Sequence, residues 1–354
     1  MRPVSLDKVT HGVVLAKPIY GEDGRVLLSK GTQLKESYID KLIDMKVPFI
    51  YVEDEYIKDI EVEDVIDDRT RINAQQITRN LMSKVIQGGK FELKDVQAAV
   101  DKIIDDILTA RGLINLIDAR THDNYLFGHS VNVSVLAIMC GKSMGFNQIE
   151  LKHLGLGAFL HDLGMGKLDP KLLVKMDSLS LEEMEAVKQH PMLGFDELRK
   201  YRELNLLASH CALQHHEKWD GTGYPRGLES TKIHLFARIV AVADVFDALV
   251  SDRPYRSRLQ PYEAVEFIQA NSGIQFDPEV VQNFLAHIAI YPIGSLVKLN
   301  TGERGVVVDV NKSFPARPVV KLVTDKTGGV LRKFHEIDLV KYPSIFVKEV
   351  LDQA

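Results

Sequence analysis

Histidine and aspartate residues recur between positions 129 and 244 at spacings that a folded domain could gather around one point. The candidate metal ligands among them are His129, His161, Asp162, His190, His215, His216 and Asp244. Imidazole and carboxylate groups together form the ligand set of iron, manganese and zinc hydrolytic sites. Because a buried histidine or aspartate needs a partner, this concentration is hard to explain as core filling. The sequence therefore predicts a metal-dependent hydrolytic site.

These seven candidates exceed what one ion needs once water is included, so we predict two divalent ions. Asp162 is expected to lie between the two ions. The other six divide into His129, His161 and Asp244, mostly on one ion, and His190, His215 and His216 on the other. Two ions roughly 3.5–4 Å apart activate water and stabilise an in-line displacement at phosphorus. For Asp244, which interrupts an apolar run, a buried salt bridge to an arginine is the alternative.

The candidate ligands fall in a stretch, about 113 to 290, whose pattern is almost wholly helical. Two capping boxes, Asn147 with Glu150 and Ser180 with Glu183, each predict the start of a helix. The helix that begins at Asn147 is expected to run into His161-Asp162 and to stop at residues 164–166. Apolar residues at helical spacing then cover 204–216, 233–250, 262–270 and 278–288. An all-α domain follows from this pattern.

Residues 1–55 are predicted to form a small α+β module. Apolar runs at 13–15 and 26–28 flank a Gly-containing turn and indicate a hairpin. A helical spacing covers 36–45, and residues 49–52 are typical of a strand. A docking or sensory role and a purely structural role both remain open for this module.

Residues 56–112 are predicted to be a linker and helical segment that leads into the 113–290 domain. The linker is acidic, and helical patterns follow at about 70–86 and 94–110. The second of these helices carries one apolar stripe. The stripe could pack on its own domain, or it could pair with a second subunit and form a homodimer.

Beyond residue 290 the pattern changes to β-type runs at 295–299, 305–310 and 318–323. Residues 291–354 are therefore predicted to form a small β-barrel-like module. The expected fold class is mainly α, with one helical bundle between a small N-terminal α+β module and this C-terminal module.

Composition limits the classes of function. The 354 residues carry a net charge of −5, which argues against binding DNA through a basic surface. Two cysteines are too few for a disulfide scaffold and favour a cytoplasmic location. Because apolar runs stay well short of about 18 residues, membrane insertion is not expected.

Several longer motifs resemble one family. They are the His161-Asp162-Leu163-Gly164 segment, the His190-Pro191 pair, the HHEKWDGTGYP segment at 215–225, the ADVFDAL segment at 243–249 and the DRPYR segment at 252–256. Together they resemble the HD-GYP subgroup of HD-domain phosphohydrolases, over about residues 120–290. The resemblance implies an HD-type helical bundle and a role in bacterial signal transduction. It also implies a phosphodiesterase that uses a metal-bound hydroxide to hydrolyse cyclic di-GMP to pGpG, with further hydrolysis to GMP left open. Iron or manganese is implied in preference to zinc.

The same resemblance implies contacts with the dinucleotide for Tyr224, Arg253 and Arg256. For the two arginines, a surface capping role after a helix is the alternative. Two departures from the family pattern stand out. Tyr125 replaces a glutamate that would help to hold a third ion, and Met165 replaces a lysine that would contact the scissile phosphate.

The catalytic residues predicted on this basis are Asp162 and Lys167. Lys167 lies two residues beyond Met165 and either reaches into the site or faces solvent. Since a missing lysine removes one cation from the transition state, lower activity is expected. Asp247 and Glu217 are candidates for carboxylates that orient a ligand histidine.

Two other functions compete with the phosphodiesterase. The chain could hydrolyse a different nucleotide, although the Gly-Tyr-Pro loop argues against that. It could instead be a catalytically weak cyclic di-GMP receptor or a signalling protein that binds diguanylate cyclase (GGDEF) partners. Met165 favours this reading, and the complete ligand set argues against it.

Overall fold

The protein is represented by a computed structural model, which describes residues 1–21, 24–45, 47, 49–53, 64–110, 125–173, 175, 179–251, 258–311 and 313–351. Its described residues divide into two compact units. One unit consists of residues 66–110 and 125–287, and the other holds the described residues before 66 and after 287. Within the described chain, every helix is too short or too polar to cross a lipid bilayer.

The N-terminal residues form two small antiparallel strand pairs and one helix. Their bounds are β1 Arg2–Ser5, β2 Ile19–Tyr20, β3 Val26–Leu28, α1 Glu36–Asp44 and β4 Phe49–Val52. Strand β1 pairs with β4, and β2 pairs with β3. The predicted helix and closing strand are confirmed, but the hairpin prediction is partly wrong, because residues 13–15 make only isolated bridges. The strand that pairs with residues 26–28 is instead β2, and the amide of Gly21 bonds to the carbonyl of Arg25 beyond it.

Eleven helices are described in the helical unit. Their bounds are α2 Asp68–Ile86, α3 Leu93–Thr109, α4 Tyr125–Ser143, α5 Gln148–Phe159, α6 Pro170–Leu173, α7 Leu181–Val187, α8 His190–Leu198, α9 Leu206–Gln214, α10 Leu235–Val250, α11 Pro261–Ala270 and α12 Pro278–Leu285. Both predicted capping boxes are present, at the starts of α5 and α7. One boundary was wrong: α5 ends at Phe159, and a separate 3-10 helix covers Leu163–Lys167. The chain therefore bends at His161 and Asp162.

Helix α4 lies at the centre of this unit, packed against α5, α10 and α2. Close approach depends on small residues: a Cβ atom added to Gly155 of α5 would lie 2.8 Å from Ile138 of α4 and 2.8 Å from Val100 of α3. The apolar stripe of α3 is buried from Val96 to Ile107, with Leu108 exposed, and α3 packs on α5 within the same chain. Of the two interpretations of that stripe, packing on its own domain is the one observed. The stripe therefore no longer supports a homodimer.

The C-terminal residues form a five-stranded antiparallel sheet. Its strands are β5 Leu296–Leu299, β6 Arg304–Asp309, β7 Val319–Thr324, β8 Val330–Asp338 and β9 Val347–Leu351, in the order β8-β7-β6-β5-β9. The barrel-like expectation is corrected: in the described sheet β8 and β9 are opposite edges, so the sheet is open. Neither edge strand was predicted from the sequence. Most residues of β8 are exposed, so it lacks the apolar face that reveals a strand.

Candidate metal centre

The seven side chains predicted as metal ligands come from five places in the helical unit. They are His129 on α4, His161 and Asp162 at the bend after α5, His190 at the start of α8, His215 and His216 at the end of α9, and Asp244 on α10. The structure brings all seven together in three overlapping groups, in each of which the potential ligand atoms lie within 4.8 Å of one another. These groups are Asp162, His190, His215 and His216; His129, His161 and Asp162; and His161, His215 and Asp244.

Asp162 belongs to two of these groups, as do His161 and His215. Its Oδ1 lies 3.3 Å from Nε2 of His190 and 3.6 Å from Nε2 of His215. Its Oδ2 lies 3.5 Å from Nε2 of His161 and 3.9 Å from Nε2 of His129. The two carboxylate oxygens thus face two different sets of imidazoles. Such an arrangement suits a carboxylate that bridges two cations.

Four of the histidines are held by hydrogen bonds at Nδ1. The Nδ1 atoms of His161, His190 and His215 lie 2.8, 2.7 and 3.0 Å from the carbonyl oxygens of residues 158, 187 and 211. A carbonyl can only accept, so each of these Nδ1 atoms carries a proton. In a neutral imidazole this leaves a lone pair on Nε2, which is the atom directed into the cluster. The fourth, His129, is held in the same way by the carboxylate of Asp247, 2.8 Å away.

Burial and neighbouring charges set the protonation of the cluster. Burial lowers the pKa of His161 to about 4, and it also lowers the pKa of His190 and His216. Burial alone would raise the pKa of Asp162, but the surrounding imidazoles hold it well below its ordinary value. His161, His190 and His216 therefore present neutral imidazoles to the ionised Asp162 at pH 7. Burial alone would also lower the pKa of His215, but its hydrogen bond to Asp162 and the charge of that carboxylate raise it.

Asp244 completes the anionic side of the cluster. Its Oδ1 lies 3.1 Å from Nε2 of His129. Burial would raise the pKa of this carboxyl, yet its hydrogen bond to His129 and the charge of that histidine hold it below its ordinary value. The salt bridge to an arginine that the sequence left open is not among the ion pairs of the described residues. Asp244 is instead one member of the histidine-aspartate cluster.

The chemistry of these donors fits divalent cations. Within the described part of the chain, Nε2 of His161 is buried and has no hydrogen-bond partner. Nε2 of His190 also faces Nε2 of His215 at 3.2 Å, and two lone pairs at that distance repel unless a proton or a cation lies between them. Cations bound in the cluster would satisfy these nitrogens together with the ionised Asp162. The cluster can therefore bind metal ions.

A second layer of polar residues supports His129. Asp247 is fully buried, accepts from Nδ1 of His129 through Oδ2, and accepts from Nδ2 of Asn132 through Oδ1, each at 2.8 Å. The orienting role predicted for Asp247 agrees with this geometry. Asn132 was missed by sequence reasoning, because one asparagine in an apolar helix carries no recognisable signal.

The loop with the Gly-Tyr-Pro motif packs directly against the cluster. The ring of Tyr224 stacks on His216, with centroids 4.8 Å apart, and burial raises the pKa of its phenol. The carboxylate of Glu217 accepts from the amides of Arg226 and Leu228, at 2.8 and 2.9 Å. Glu217 thus shapes the loop, whereas the sequence suggested that it orients a histidine. Gly223 allows the tight turn, since an added Cβ would lie 2.3 Å from the amide nitrogen of Lys218.

Of the other predicted site residues, Lys167 is bound in an ion pair, and the two arginines lie outside the described residues. Nζ of Lys167 lies 3.0 Å from Oε2 of Glu197, which also pairs with Lys200. That ion pair gives Lys167 a structural partner, which weakens its assignment as a catalytic group. Arg253 and Arg256 lie outside the described residues, as does the side chain of Tyr125.

Lys188, a positively charged residue that the sequence analysis did not single out, lies beside the loop that carries Tyr224. Nζ of Lys188 is 5.9 Å from the centroid of the Tyr224 ring and also pairs with Glu185 at 2.5 Å. Lys188 precedes His190 by two residues, so the turn between α7 and α8 positions both.

Parts of this chain match two family models, and several curated proteins are similar to it. Residues 113–280 match the family model of the HD domain, and residues 296–354 match that of a KOW domain associated with HD domain. Cyclic di-GMP phosphodiesterase PA4108 of Pseudomonas aeruginosa is 36% identical over 224 residues, which make up 63% of this chain and 54% of that relative.

Two further relatives differ in the substrate that they are named for. A cyclic di-GMP phosphodiesterase of Thermotoga maritima is 40% identical over 169 residues, 48% of this chain and 45% of that relative. A 3′3′-cGAMP-specific phosphodiesterase of Vibrio cholerae is 35% identical over 179 residues, 51% of this chain and 38% of that relative. The chain thus spans about half the length of these curated relatives, or less.

Proposed function

We propose that this chain, whose helical domain belongs to the HD-GYP family of HD-domain proteins, is a metal-dependent phosphodiesterase that hydrolyses cyclic di-GMP. The observation that carries the proposal is the convergence of five imidazoles on Asp162 and Asp244. Linear pGpG is the proposed product, and GMP would require a second cleavage at the same site. The relatives named as cyclic di-GMP phosphodiesterases support the choice of substrate.

Two divalent ions are the proposed cofactors, with iron or manganese preferred to zinc. His129, His161 and Asp244 would hold one ion, His190, His215 and His216 the other, and Asp162 both. When bound, such ions supply Lewis acidity towards a phosphodiester and activate water as the nucleophile. Two of the three groups support this division, because Oδ1 of Asp162 faces His190 and His215 while its Oδ2 faces His161 and His129. The third group, His161, His215 and Asp244, connects the two sets.

The protein groups prepare the site before any substrate arrives. The hydrogen bonds at Nδ1 fix four rings, so the ligand atoms are preorganised. Tyr224 stays a neutral phenol, because burial raises its pKa, and it can donate a hydrogen bond to the dinucleotide. Lys188, at the rim of the loop, offers a positive charge to a phosphate. We retain Arg253 and Arg256 as proposed contacts with the substrate.

A catalytically weak receptor for cyclic di-GMP is the second candidate function. The specific observation in its favour is the ion pair between Lys167 and Glu197. Because of this ion pair, Lys167 does not replace the lysine that the family pattern would place at Met165. A receptor of this kind would bind the dinucleotide and pass the signal to diguanylate cyclase (GGDEF) partners. Retention of a complete ligand cluster argues for the enzyme, because binding alone does not need it.

We also propose a domain division, a cellular location and an excluded partner for this chain. We propose four parts, at 1–55, 56–112, 113–290 and 291–354, although α2 and α3 pack in the same compact unit as the helices of the third part. A cytoplasmic location agrees with the low cysteine content and with an intracellular dinucleotide as substrate. DNA is not a proposed partner, given the net charge of −5.

Hydrolysis of cyclic di-GMP by anaerobically purified protein tests the proposal. The assay compares the unmodified chain with Asp162→Ala and with Asp196→Ala, a matched control in which an exposed aspartate is removed. We expect conversion to pGpG with Mn²⁺ or Fe²⁺ in the unmodified chain and the control, and none in Asp162→Ala. Unchanged cleavage by Asp162→Ala would refute the metal mechanism. Saturable binding without cleavage would select the receptor, and faster cleavage of 3′3′-cGAMP would change the substrate.

A further inference from the structure

A chain of hydrogen bonds connects helix α2 with the candidate metal centre. Nη1 of Arg71 on α2 donates to Oδ1 of Asn132 on α4 at 2.8 Å. Nδ2 of Asn132 donates to Oδ1 of Asp247 on α10 at 2.8 Å. Oδ2 of Asp247 accepts from Nδ1 of His129, again at 2.8 Å. Asn132 and Asp247 are buried, with 1% and 0% of their surfaces exposed.

In each of these three hydrogen bonds, the donor and the acceptor are fixed by the chemistry of the groups. A guanidinium group only donates, so Arg71 must face the oxygen of the Asn132 amide. The amide then turns its NH₂ group towards Asp247, whose carboxylate accepts from it through Oδ1. The remaining oxygen of Asp247 therefore receives the proton on Nδ1 of His129. The Asn132 amide thus holds the Asp247 carboxylate against Nδ1 of His129 and leaves Nε2 of that ring directed into the cluster, 3.1 Å from Oδ1 of Asp244.

We infer that Arg71 and Asn132 are positioning residues of the metal centre, which act on His129 through Asp247. This inference rests on the metal site proposed above. Arg71 lies outside residues 113–280, the part of the chain that matches the HD domain. The working unit of the site therefore includes helix α2, and a fragment that begins at residue 113 would lack one end of the hydrogen-bond chain.

A purely structural role is the alternative explanation of these bonds. They connect three helices, so they could stabilise the bundle without influencing the site. The two roles differ in what they change: a structural role lowers the midpoint of unfolding, whereas a positioning role changes the tautomer of His129 and the affinity for metal in the folded protein.

Binding of Mn²⁺ to the metal-free full chain distinguishes the two roles. The variants are Arg71→Met, Asn132→Ala, the double variant and a control, Arg69→Met, which removes an exposed arginine from the same helix. Loss of a direct partner of a ligand histidine weakens metal binding about 10–100-fold. Asn132 lies one hydrogen bond further from His129, so we expect about tenfold for Asn132→Ala and about threefold for Arg71→Met. The double variant should bind no more weakly than Asn132→Ala alone, because both residues act along one path.

A second measurement needs no metal. Nitrogen chemical shifts of ¹⁵N-labelled histidine report which ring nitrogen of His129 carries the proton. We expect a protonated Nδ1 in the unmodified chain and in Arg69→Met, and a smaller population of that tautomer in Arg71→Met. Circular dichroism confirms that each variant is folded at the temperature of measurement.

The results separate this inference from the proposed function. If the unmodified chain binds no Mn²⁺, the metal site is wrong, while the tautomer comparison still decides whether Arg71 acts on His129. If the unmodified chain binds Mn²⁺ and Arg71→Met matches it in affinity and tautomer, the inference is overturned. Additive losses of affinity in the double variant would also overturn it, because they would mean that the two residues act independently.

Discussion

Replacement of Gly164 by alanine should displace His190, one ligand of the metal centre, without changing any of the ligand side chains. Gly164 lies in the 3-10 helix directly after Asp162, where that helix packs against α8. A Cβ atom added to Gly164 would lie 1.9 Å from the carbonyl oxygen of His190 and 2.6 Å from the amide nitrogen of Gly194. Both are backbone atoms, so no side chain can rotate away to make room.

The size of the effect follows from that contact. Cβ contacts under 3.0 Å are essentially never seen, so α8 must shift by about 1 Å and carry His190 with it. Overpacking of this kind costs about 1–3 kcal/mol of folding free energy, and a clash with backbone atoms should lie at the upper end of that range. A displacement of about 1 Å at a catalytic site can lower turnover on the order of 100-fold.

The assay combines urea unfolding with Mn²⁺ titration of the folded variant. Gly89→Ala is the matched control, because its Cβ would meet the nearest atom at 3.4 Å, an ordinary contact. We expect that control to stay within about 0.5 kcal/mol of the unmodified chain. Unchanged unfolding free energy and unchanged Mn²⁺ affinity in Gly164→Ala would refute the reasoning. Such a result would mean that the added methyl group is accommodated without displacing His190.

Three further predictions concern the loop, the thiols and the missing lysine. Glu217→Gln removes one charged acceptor of the loop amides, which should cost about 1.5–3 kcal/mol of folding free energy. Because the loop that holds Tyr224 then loosens, KM should rise more than kcat falls. An unchanged KM in steady-state assays would contradict this. Burial raises the pKa of Cys140 to about 12 and also raises the pKa of Cys211, so the reactive thiolate is disfavoured at both cysteines. Ellman's reagent at pH 8 should therefore detect no thiol in the folded chain and two in denaturant. Rapid reaction of the folded chain would show that a thiol is accessible. Met165→Lys should raise kcat by returning a cation to the site, and equal turnover of the two proteins would count against that role.

The candidate ligands could be predicted from sequence because residue type alone distinguishes them. Histidines and an aspartate inside apolar helices are costly to bury without a shared purpose, so their positions were informative before any geometry was known. Their supports were not predictable in the same way. Arg71 and Asn132 are 61 residues apart, and Asn132 and Asp247 are 115 residues apart, so only the packing of three helices reveals the connection.

Element boundaries failed where local sequence signals were weak or competing. The helix expected to continue to residue 164 stops at Phe159, and the 3-10 helix after the bend packs against α8, a long-range contact that the local sequence pattern does not report. Strand β8 was missed because an edge strand with exposed polar residues lacks the alternation of a half-buried strand. Lys167 was assigned from its position beside a motif, whereas its partner Glu197 lies 30 residues away in sequence.

The location of bound metal tests the account most directly. Crystals of the chain grown with Mn²⁺ and measured at the manganese absorption edge should show two anomalous peaks, one on each side of the Asp162 carboxylate. Nε2 atoms of His129 and His161 should lie about 2.0–2.3 Å from one peak, and those of His190 and His215 at similar distances from the other. Density for ions elsewhere, with none beside Asp162 at saturating Mn²⁺, would contradict the proposed centre and the hydrolytic function that depends on it.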